Sequence, residues 1–249
     1  MTPLVGAEAV KQAMEDLFTI ESLAAYLHLD AAQISRLAER GNLPGRRIGG
    51  AWRFSKPEIH HWLERRIGLS GDDELALMEN ALERPDLRTD AETLSIADML
   101  PLEAIAAPLP ARTRNSVIDS MTELAAQTGW LWDPPKMAEA IRNREEMHPT
   151  ALDNGVALLH PRRPMPAILG QAFLALGITG QGIPFGGSRG VLTDTFFLIC
   201  SLEDRSHLRV LARLSRIIND AELMAGLRSA PDAVAVHALI AERERLITG

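Results

Sequence analysis

Residues 42–56 read "NLPGRRIGGAWRFSK". Two short runs of strand-forming and basic residues, "RRI" and "AWRF", flank the pair Gly49-Gly50, a spacing that predicts a two-stranded hairpin closed by a tight turn. Upstream, the same pattern of helix starts recurs. In "FTIESL", Thr19 is placed to cap a first turn, with Phe18 and Leu23 at the hydrophobic positions on either side. In "LDAAQI", Asp30 and Gln33 form a capping-box pair with Leu29 and Ile34 flanking it, and in "FSKPEI" Ser55 and Glu58 repeat the arrangement with Phe54 and Ile59. Gly41, directly after Arg40, is a helix stop because glycine accepts the left-handed conformation that closes a helix. The prediction is three helices, with a hairpin between the second and the third. Ile20, Leu23, Ala24, Leu27, Ile34 and Leu37 supply the shared apolar face of the first two, which are separated only by "HLD". Trp52 and Trp62 read as packing residues.

Taken together, "FTIESLAAYLHLDAAQISRLAERGNLPGRRIGGAWRFSKPEIHHWL", residues 18–63, closely resembles the excisionase-type, MerR-like winged helix-turn-helix. That resemblance implies a second helix entering the major groove of double-stranded DNA. Gln33, Ser35 and Arg36 are the base-reading candidates, and Arg46, Arg47 and Arg53, on or beside the wing, are candidates for phosphate or minor-groove contacts. A homodimer reading two half-sites is expected, because one module of this size gives modest specificity. The bland alternative is a solvated arginine face on a small protein-binding domain. The wing beside the helix pair favours the first, and the charge distribution fits it: residues 19–67 carry eight Lys or Arg against five Asp or Glu, whereas residues 68–249 carry 17 against 25, within a net charge of −7.

The remainder is of a different kind. After a linker at residues 68–93, with a possible short helix around residues 75–82, amphipathic helices alternate with apolar strands. "RNSVIDSMTELAAQTG", "PKMAEAIRNREEM" and "RSHLRVLARLSRIIND" read as helices; "GVALLH", "AFLALG" and "VLTDTFFLIC" read as strands. Residues 94–249 thus form an α/β domain with helices covering a sheet. Cys200, inside an apolar run, reads as a buried strand thiol without a chemical role. "GQGIPFGG" does not open a helix after a strand and is a weak phosphate loop. His148, before a proline, reads as an extended surface residue.

His160 ends a strand at "NGVALLHPRRP", a position where chemistry is common, although a hydrogen-bonded structural histidine fits the same pattern. Arg144 at a helix end and His207 at a helix start can converge on it, which would give a nucleophilic nitrogen, a fixed cation and a neighbouring donor. The order "LSIADML", "REEM…T…NGVALLH", "SHLRVLARLSRII" resembles the type-2 (fructose/mannitol and nitrogen-regulatory) EIIA domain of the bacterial phosphoenolpyruvate phosphotransferase system. The resemblance implies an α/β sandwich that takes a phosphoryl group from the phosphocarrier protein HPr. It places the phosphoryl-accepting histidine on His160, the active-site arginine on Arg144 and the second histidine on His207, with Thr150, Asn154 and Gly155 shaping the pocket loop. This chain departs from the family's usual Pro-His-small motif: it reads Leu159-His160-Pro161, and Asp153 adds a negative charge to the loop "HPTALDNG". Arg162 and Arg163 follow.

The sequence therefore predicts an α/β protein with a winged helix-turn-helix at 18–67 and an EIIA-like sandwich at 94–249. The function expected is a DNA-binding transcriptional regulator whose second domain senses phosphotransferase-system status through His160. The alternative is a phosphocarrier or regulatory protein acting through protein contacts, with a degenerate site. A third possibility, a recombination factor, leaves the acidic domain without a purpose. At most the chemistry is that of a phosphohistidine carrier, with no cofactor and no metal. No apolar run reaches membrane-spanning length and the acidic N-terminal stretch does not read as a signal peptide, so a cytoplasmic location is expected.

Overall fold

The protein is described by a computed structural model that covers residues 17–27, 29–67, 75–76, 94–187 and 190–249. The linker at 68–93 lies outside the described residues, except that residues 75 and 76 are helical. The N-terminal domain runs β1 (Leu17–Phe18), α1 (Ile20–Leu27), α2 (Ala31–Glu39), β2 (Arg46–Ile48), β3 (Ala51–Ser55) and α3 (Lys56–Ile67). Its local chemistry follows the sequence prediction at the first two helices and in the wing; at the third helix Ser55 ends β3 and Glu58 pairs with Arg46. Thr19 Oγ1 accepts the Ser22 N–H at 3.2 Å, and Gln33 Oε1 accepts the Asp30 N–H at 3.1 Å. Gly41 closes α2 with φ +70°. The wing turns on Gly49 and Gly50 at φ +60° and +80°, the paired left-handed conformations that a two-residue hairpin matching strand twist requires. Leu23, Ala24, Leu27, Ile34, Phe54, Ile59 and Leu63 are buried together, with Ile20, Leu37, Trp52 and Trp62 packed against them.

The second domain is built on β4 (Ile105–Ala106), β5 (Val156–Leu159), β6 (Phe173–Ile183) and β7 (Thr193–Cys200), in the order β4-β6-β7-β5. The central β6–β7 pair is antiparallel; β4 joins β6 and β5 joins β7 in parallel. Strands buried on both faces read as continuous apolar runs, and here they divide by alternation. Val156, Leu158, Phe197 and Ile199 face one cluster; Ala157, Leu159, Phe196, Leu198 and Cys200 face the other. The second cluster is covered by α4 (Arg114–Ala126) and α5 (Pro134–Met147), the first by α6 (Asp204–Ile218), α7 (Ala221–Ser229) and α8 (Ala233–Thr248). The result is a helix–sheet–helix sandwich. Cys200 is fully buried, and burial pushes its thiol far above the ordinary range.

Helices α7 and α8 go beyond the sequence prediction. Their starts are nevertheless marked: Asp220 and Asp232 cap them, accepting the Leu223 and Ala235 N–H groups, each at 2.8 Å. None of the described helices is long and apolar enough to cross a membrane.

One buried charge closes the domain. The Glu244 carboxylate, on α8, accepts the backbone N–H groups of Ile96 and Ala97 at 2.7 and 2.9 Å and pairs with Arg213 of α6 at 3.2 Å. It therefore ties the entry of the domain to its last helix, 148 residues away. Replacing Glu244 with Ala leaves two buried N–H groups without their acceptor and the Arg213 guanidinium, which also donates to the Leu94 carbonyl at 3.1 Å, without its carboxylate. We expect Glu244→Ala to destabilise the domain by about 3–5 kcal/mol in urea unfolding; a loss below about 1 kcal/mol would show that the pair is solvated in solution.

Candidate functional site

The site begins with the geometry of a strand end. His160 follows β5 directly, and its Nδ1 lies 2.8 Å from the carbonyl oxygen of Leu158. A carbonyl can only accept, so Nδ1 carries the hydrogen and Nε2 is the nitrogen left facing the site. His160 is 2% exposed, and Nε2 has no hydrogen-bond partner. Pro161, which lacks an N–H, turns the chain away immediately afterwards.

Two further elements converge on that nitrogen. His207, in the first turn of α6, sets its ring 4.9 Å from the His160 ring, and its Nδ1 lies 3.2 Å from the Ser201 hydroxyl. Burial pushes the His207 imidazole down to about 3, with His160 adding to the effect. Arg144 sits in the last turn of α5, where a cation also complements the helix dipole. Its Nη1 donates to the His148 carbonyl at 2.7 Å, which fixes the guanidinium. His148 itself is extended and exposed. Thus His160, His207 and Arg144 come together from the end of β5, the start of α6 and the end of α5.

The other predicted pocket residues are placed differently. Asn154 and Gly155 precede β5, at the end opposite His160, with a strand of about 13 Å between them. Asn154 Nδ2 donates to the Ile218 carbonyl at 2.9 Å, and Gly155 takes φ +85° in the turn. They shape the entry to the strand and do not line the histidine cluster. Asp153 belongs to that same distant turn, so its charge is not the one that bears on His160. Thr150 lies nearer, with its carbonyl accepting the Leu158 N–H at 3.4 Å, but its hydroxyl is bonded to the Glu145 carboxylate. Glu145 also takes Arg114 at 3.2 Å. Thr150 therefore braces the loop against α5, its hydroxyl committed to Glu145.

The charge that does bear on the site comes from Glu64, in α3 of the other domain. Glu64 Oε2 lies 3.0 Å from Arg144 Nη2 and 3.5 Å from His160 Nε2. The Glu64 side chain is 8% exposed and that of Arg144 5%. Burial alone would push the Glu64 carboxyl up, yet the His160 ring, the Arg144 guanidinium and the His207 ring together hold it down at about 2. Glu64 is absent from the sequence prediction, although a signal for it exists. Lys56, His60 and Glu64 recur at four-residue spacing on a helix whose other face, Ile59 and Leu63, is apolar. Glu64, His160 and His207 also place potential metal-ligand atoms within 4.8 Å of one another. Arg144 on the same carboxylate oxygen makes the cluster a better host for an anion than for a divalent cation.

The predicted DNA-facing residues are divided by the structure. Gln33 and Arg36 are exposed on α2, but the Gln33 side-chain carbonyl is engaged at the cap, and Arg36 Nε bonds back to the Ala32 carbonyl at 3.2 Å. Ser35 is half-buried. On the wing, Arg46 pairs in register with Arg53 and Arg47 with Trp52, so the three arginines occupy two faces. Arg47 lies over the Trp52 ring at 5.2 Å, Arg46 bonds Glu58 at 3.0 Å, and Arg53 turns back to the Trp52 carbonyl at 2.9 Å. Arg46 and Arg47 are exposed, while Arg53 is half-buried.

Comparison with known proteins agrees with both halves. Residues 98–243 match the family described as the phosphoenolpyruvate-dependent sugar phosphotransferase system, EIIA 2, and residues 17–67 match a helix-turn-helix domain. A nitrogen regulatory protein of Bradyrhizobium diazoefficiens is 32% identical over 152 residues, spanning 59% of this chain and 95% of the relative. Among solved structures, nitrogen regulatory protein IIA-Ntr from Neisseria meningitidis shares the fold with a TM-score of 0.52 and 23% identity, over 58% of this chain and 98% of that one. The Escherichia coli mannitol enzyme IIA, solved in complex with phosphorylated enzyme IIB, gives a TM-score of 0.51 and 19% identity over 57% and 99% of the two chains. With the family match covering more than half of its length, the chain belongs to the type-2 EIIA family of the phosphoenolpyruvate-dependent sugar phosphotransferase system, joined here to an N-terminal helix-turn-helix domain.

Proposed function

We propose that this protein is a DNA-binding transcriptional regulator that reads the state of the phosphotransferase system through phosphorylation of His160. The observation that carries the reading is the convergence of His160 Nε2, the Arg144 guanidinium and the His207 ring in one buried cluster. The donor in this reading is the phosphohistidine of HPr. The phosphorus–nitrogen bond to the donor breaks as a new one forms to His160 Nε2, and the donor imidazole keeps the electron pair. The Leu158 carbonyl holds the Nδ1–H tautomer that directs the Nε2 lone pair outward. Arg144 pairs with the arriving oxygens as a planar, permanent cation, and His207 is placed to donate one hydrogen bond. Pro161 supplies no backbone donor, which puts the weight of anion stabilisation on Arg144.

In the same reading the N-terminal domain supplies the output, with α2 in the major groove and Arg46 and Arg47 on phosphates. A phosphoryl group is screened over roughly 8 Å at physiological salt, so its charge cannot reach DNA directly. The signal passes instead through contact between the domains, and the two-fold symmetry of a dimer would convert a change of domain orientation into a change of half-site fit.

Three outcomes are expected. Intact mass after incubation with phosphoenolpyruvate, enzyme I and HPr should show one added phosphoryl group in the wild type and none in His160→Ala; retention of the label in the mutant sinks the assignment. In anisotropy titrations on selected DNA fragments, Arg36→Ala should weaken binding about tenfold, and Arg47→Ala should lower the salt slope by about one. Unaltered binding in both would return the domain to a protein-contact role. The third outcome concerns acid. A histidine held near 3 when folded is protonated first in the unfolded chain, so its contribution to stability is complete above 6.5 and declines as pH falls from there toward 3. The unfolding midpoint should therefore drop between pH 6.5 and 5 in the wild type and drop less in His207→Gln; parallel curves would show that His207 is solvated.

A further inference from the structure

The carboxylate facing His160 belongs to the winged domain and is held there by a stripe along α3. Lys56 Nζ reaches Asp204 Oδ2 at 3.2 Å, and His60 Nδ1 lies 3.5 Å from Asp204 Oδ1. His60 Nε2 is in turn 2.8 Å from the Tyr26 hydroxyl. One turn further, Glu64 meets Arg144 at 3.0 Å. Four-residue spacing thus carries the stripe from the start of α6 into the histidine cluster. A cleft of about 440 Å³ runs along this seam, lined among others by His61, Trp62, Glu64, Arg144 and Arg162.

We propose that Glu64 is a built-in occupant of the phosphoryl position, so that docking of the winged domain and phosphorylation of His160 exclude one another. This inference rests on the reading of His160 as the acceptor. Three observations carry it. First, the Glu64 carboxylate uses the partners a phosphoryl group requires, the Arg144 guanidinium and the face of His160 Nε2. Second, attack by Nε2 needs the donor phosphorus brought up to that nitrogen, and Glu64 Oε2 already stands 3.5 Å from it. With His160 2% exposed, a phosphohistidine on a protein surface cannot approach while α3 covers it. Third, a phosphoryl dianion and a carboxylate confined around one guanidinium repel strongly in a site from which water is excluded.

Phosphoryl arrival therefore expels Glu64. Among the described ion pairs, the Lys56–Asp204–His60 set remains between α3 and α6, beside the apolar packing of the buried cluster that holds Ile59 and Leu63 together with Leu208 and Leu211; its lysine and aspartate side chains are 38% and 28% exposed. Part-exposed pairs of this kind hold a domain weakly. The α2 surface carrying Gln33 and Arg36 is already exposed in the docked form. Docking consequently controls the orientation of the winged domain, not access to its reading helix. The sequence of events is a two-state exchange in which one anion replaces another at Arg144.

Phosphoramidate, a small donor that transfers its phosphoryl group to imidazole and releases ammonia, tests this on the full-length protein. Labelling rates are read by intact mass for wild type, Glu64→Ala, Glu64→Gln and His160→Ala, and hydrogen–deuterium exchange is followed in residues 56–64. Glu64→Ala and Glu64→Gln should be labelled about tenfold faster than wild type or more, and His160→Ala not at all. Exchange in 56–64 should rise in both Glu64 variants and, to a similar extent, in the phosphorylated wild type. Equal labelling rates at His160 in wild type and Glu64→Ala overturn the occupancy while leaving the acceptor reading intact. Labelled wild type with unchanged exchange in 56–64 overturns the release of the domain. No label on any variant, under conditions that label a nitrogen regulatory IIA protein alongside, removes the acceptor reading and the competition with it.

Discussion

The ion pair between Glu64 and Arg144 joins two domains at 3.0 Å with both side chains more than nine-tenths buried. Such a pair is expensive to assemble, because each charge gives up its hydration, and still more expensive to break on one side only. The ionised form of Glu64 persists in this setting because the permanent charge of the Arg144 guanidinium is held 3.0 Å from it. The guanidinium is in turn pinned by the His148 carbonyl. Everything distinctive about the molecule follows from this: the cation that makes the site suited to an anion is already satisfied, and the anion that satisfies it belongs to the helix-turn-helix half.

The sandwich explains why the three groups meet. β5 is short, buried on both faces, paired to β7 on one side and bridged to Ala151 on the other, so its register fixes the position at which the chain leaves the sheet. His160 sits at that exit, with its ring held by a carbonyl two residues back. Helix α6 starts four residues after β7 ends, which brings His207 to the same edge of the sheet. Arg144 arrives on α5, from the layer on the opposite face. A site assembled from a strand end and two helix termini needs little movement of the core when its occupant changes, whereas the domain bearing Glu64 is attached mainly through one helix.

Much of the fold was legible because its signals are local. Thr19, Gln33, Gly41 and the Gly49-Gly50 turn act within a few residues of themselves, and their roles survive intact in the structure. Strand alternation and the amphipathic helices of the second domain are likewise short-range patterns. Helices α7 and α8 went unread although Asp220 and Asp232 mark their starts, since a cap alone does not declare a helix. The pocket residues fared differently. Thr150 is near His160 but committed to Glu145, while Asn154 and Gly155 are separated from it by the length of β5. Proximity in sequence misleads there because an extended strand carries its two ends far apart.

By itself, the sequence determined the helix-turn-helix, the α/β sandwich and the placement of His160, His207 and Arg144 at the ends of their elements. Each of these is written in periodicity, caps, turn glycines or residues at element ends. Only the tertiary structure decided what the triad faces. Glu64 is an ordinary acidic residue on an amphipathic helix until α3 packs against α6, 80 residues from the arginine it pairs with. Long-range electrostatic partners leave no periodic trace in a chain, because charge complementarity depends on where surfaces dock and not on spacing along the backbone.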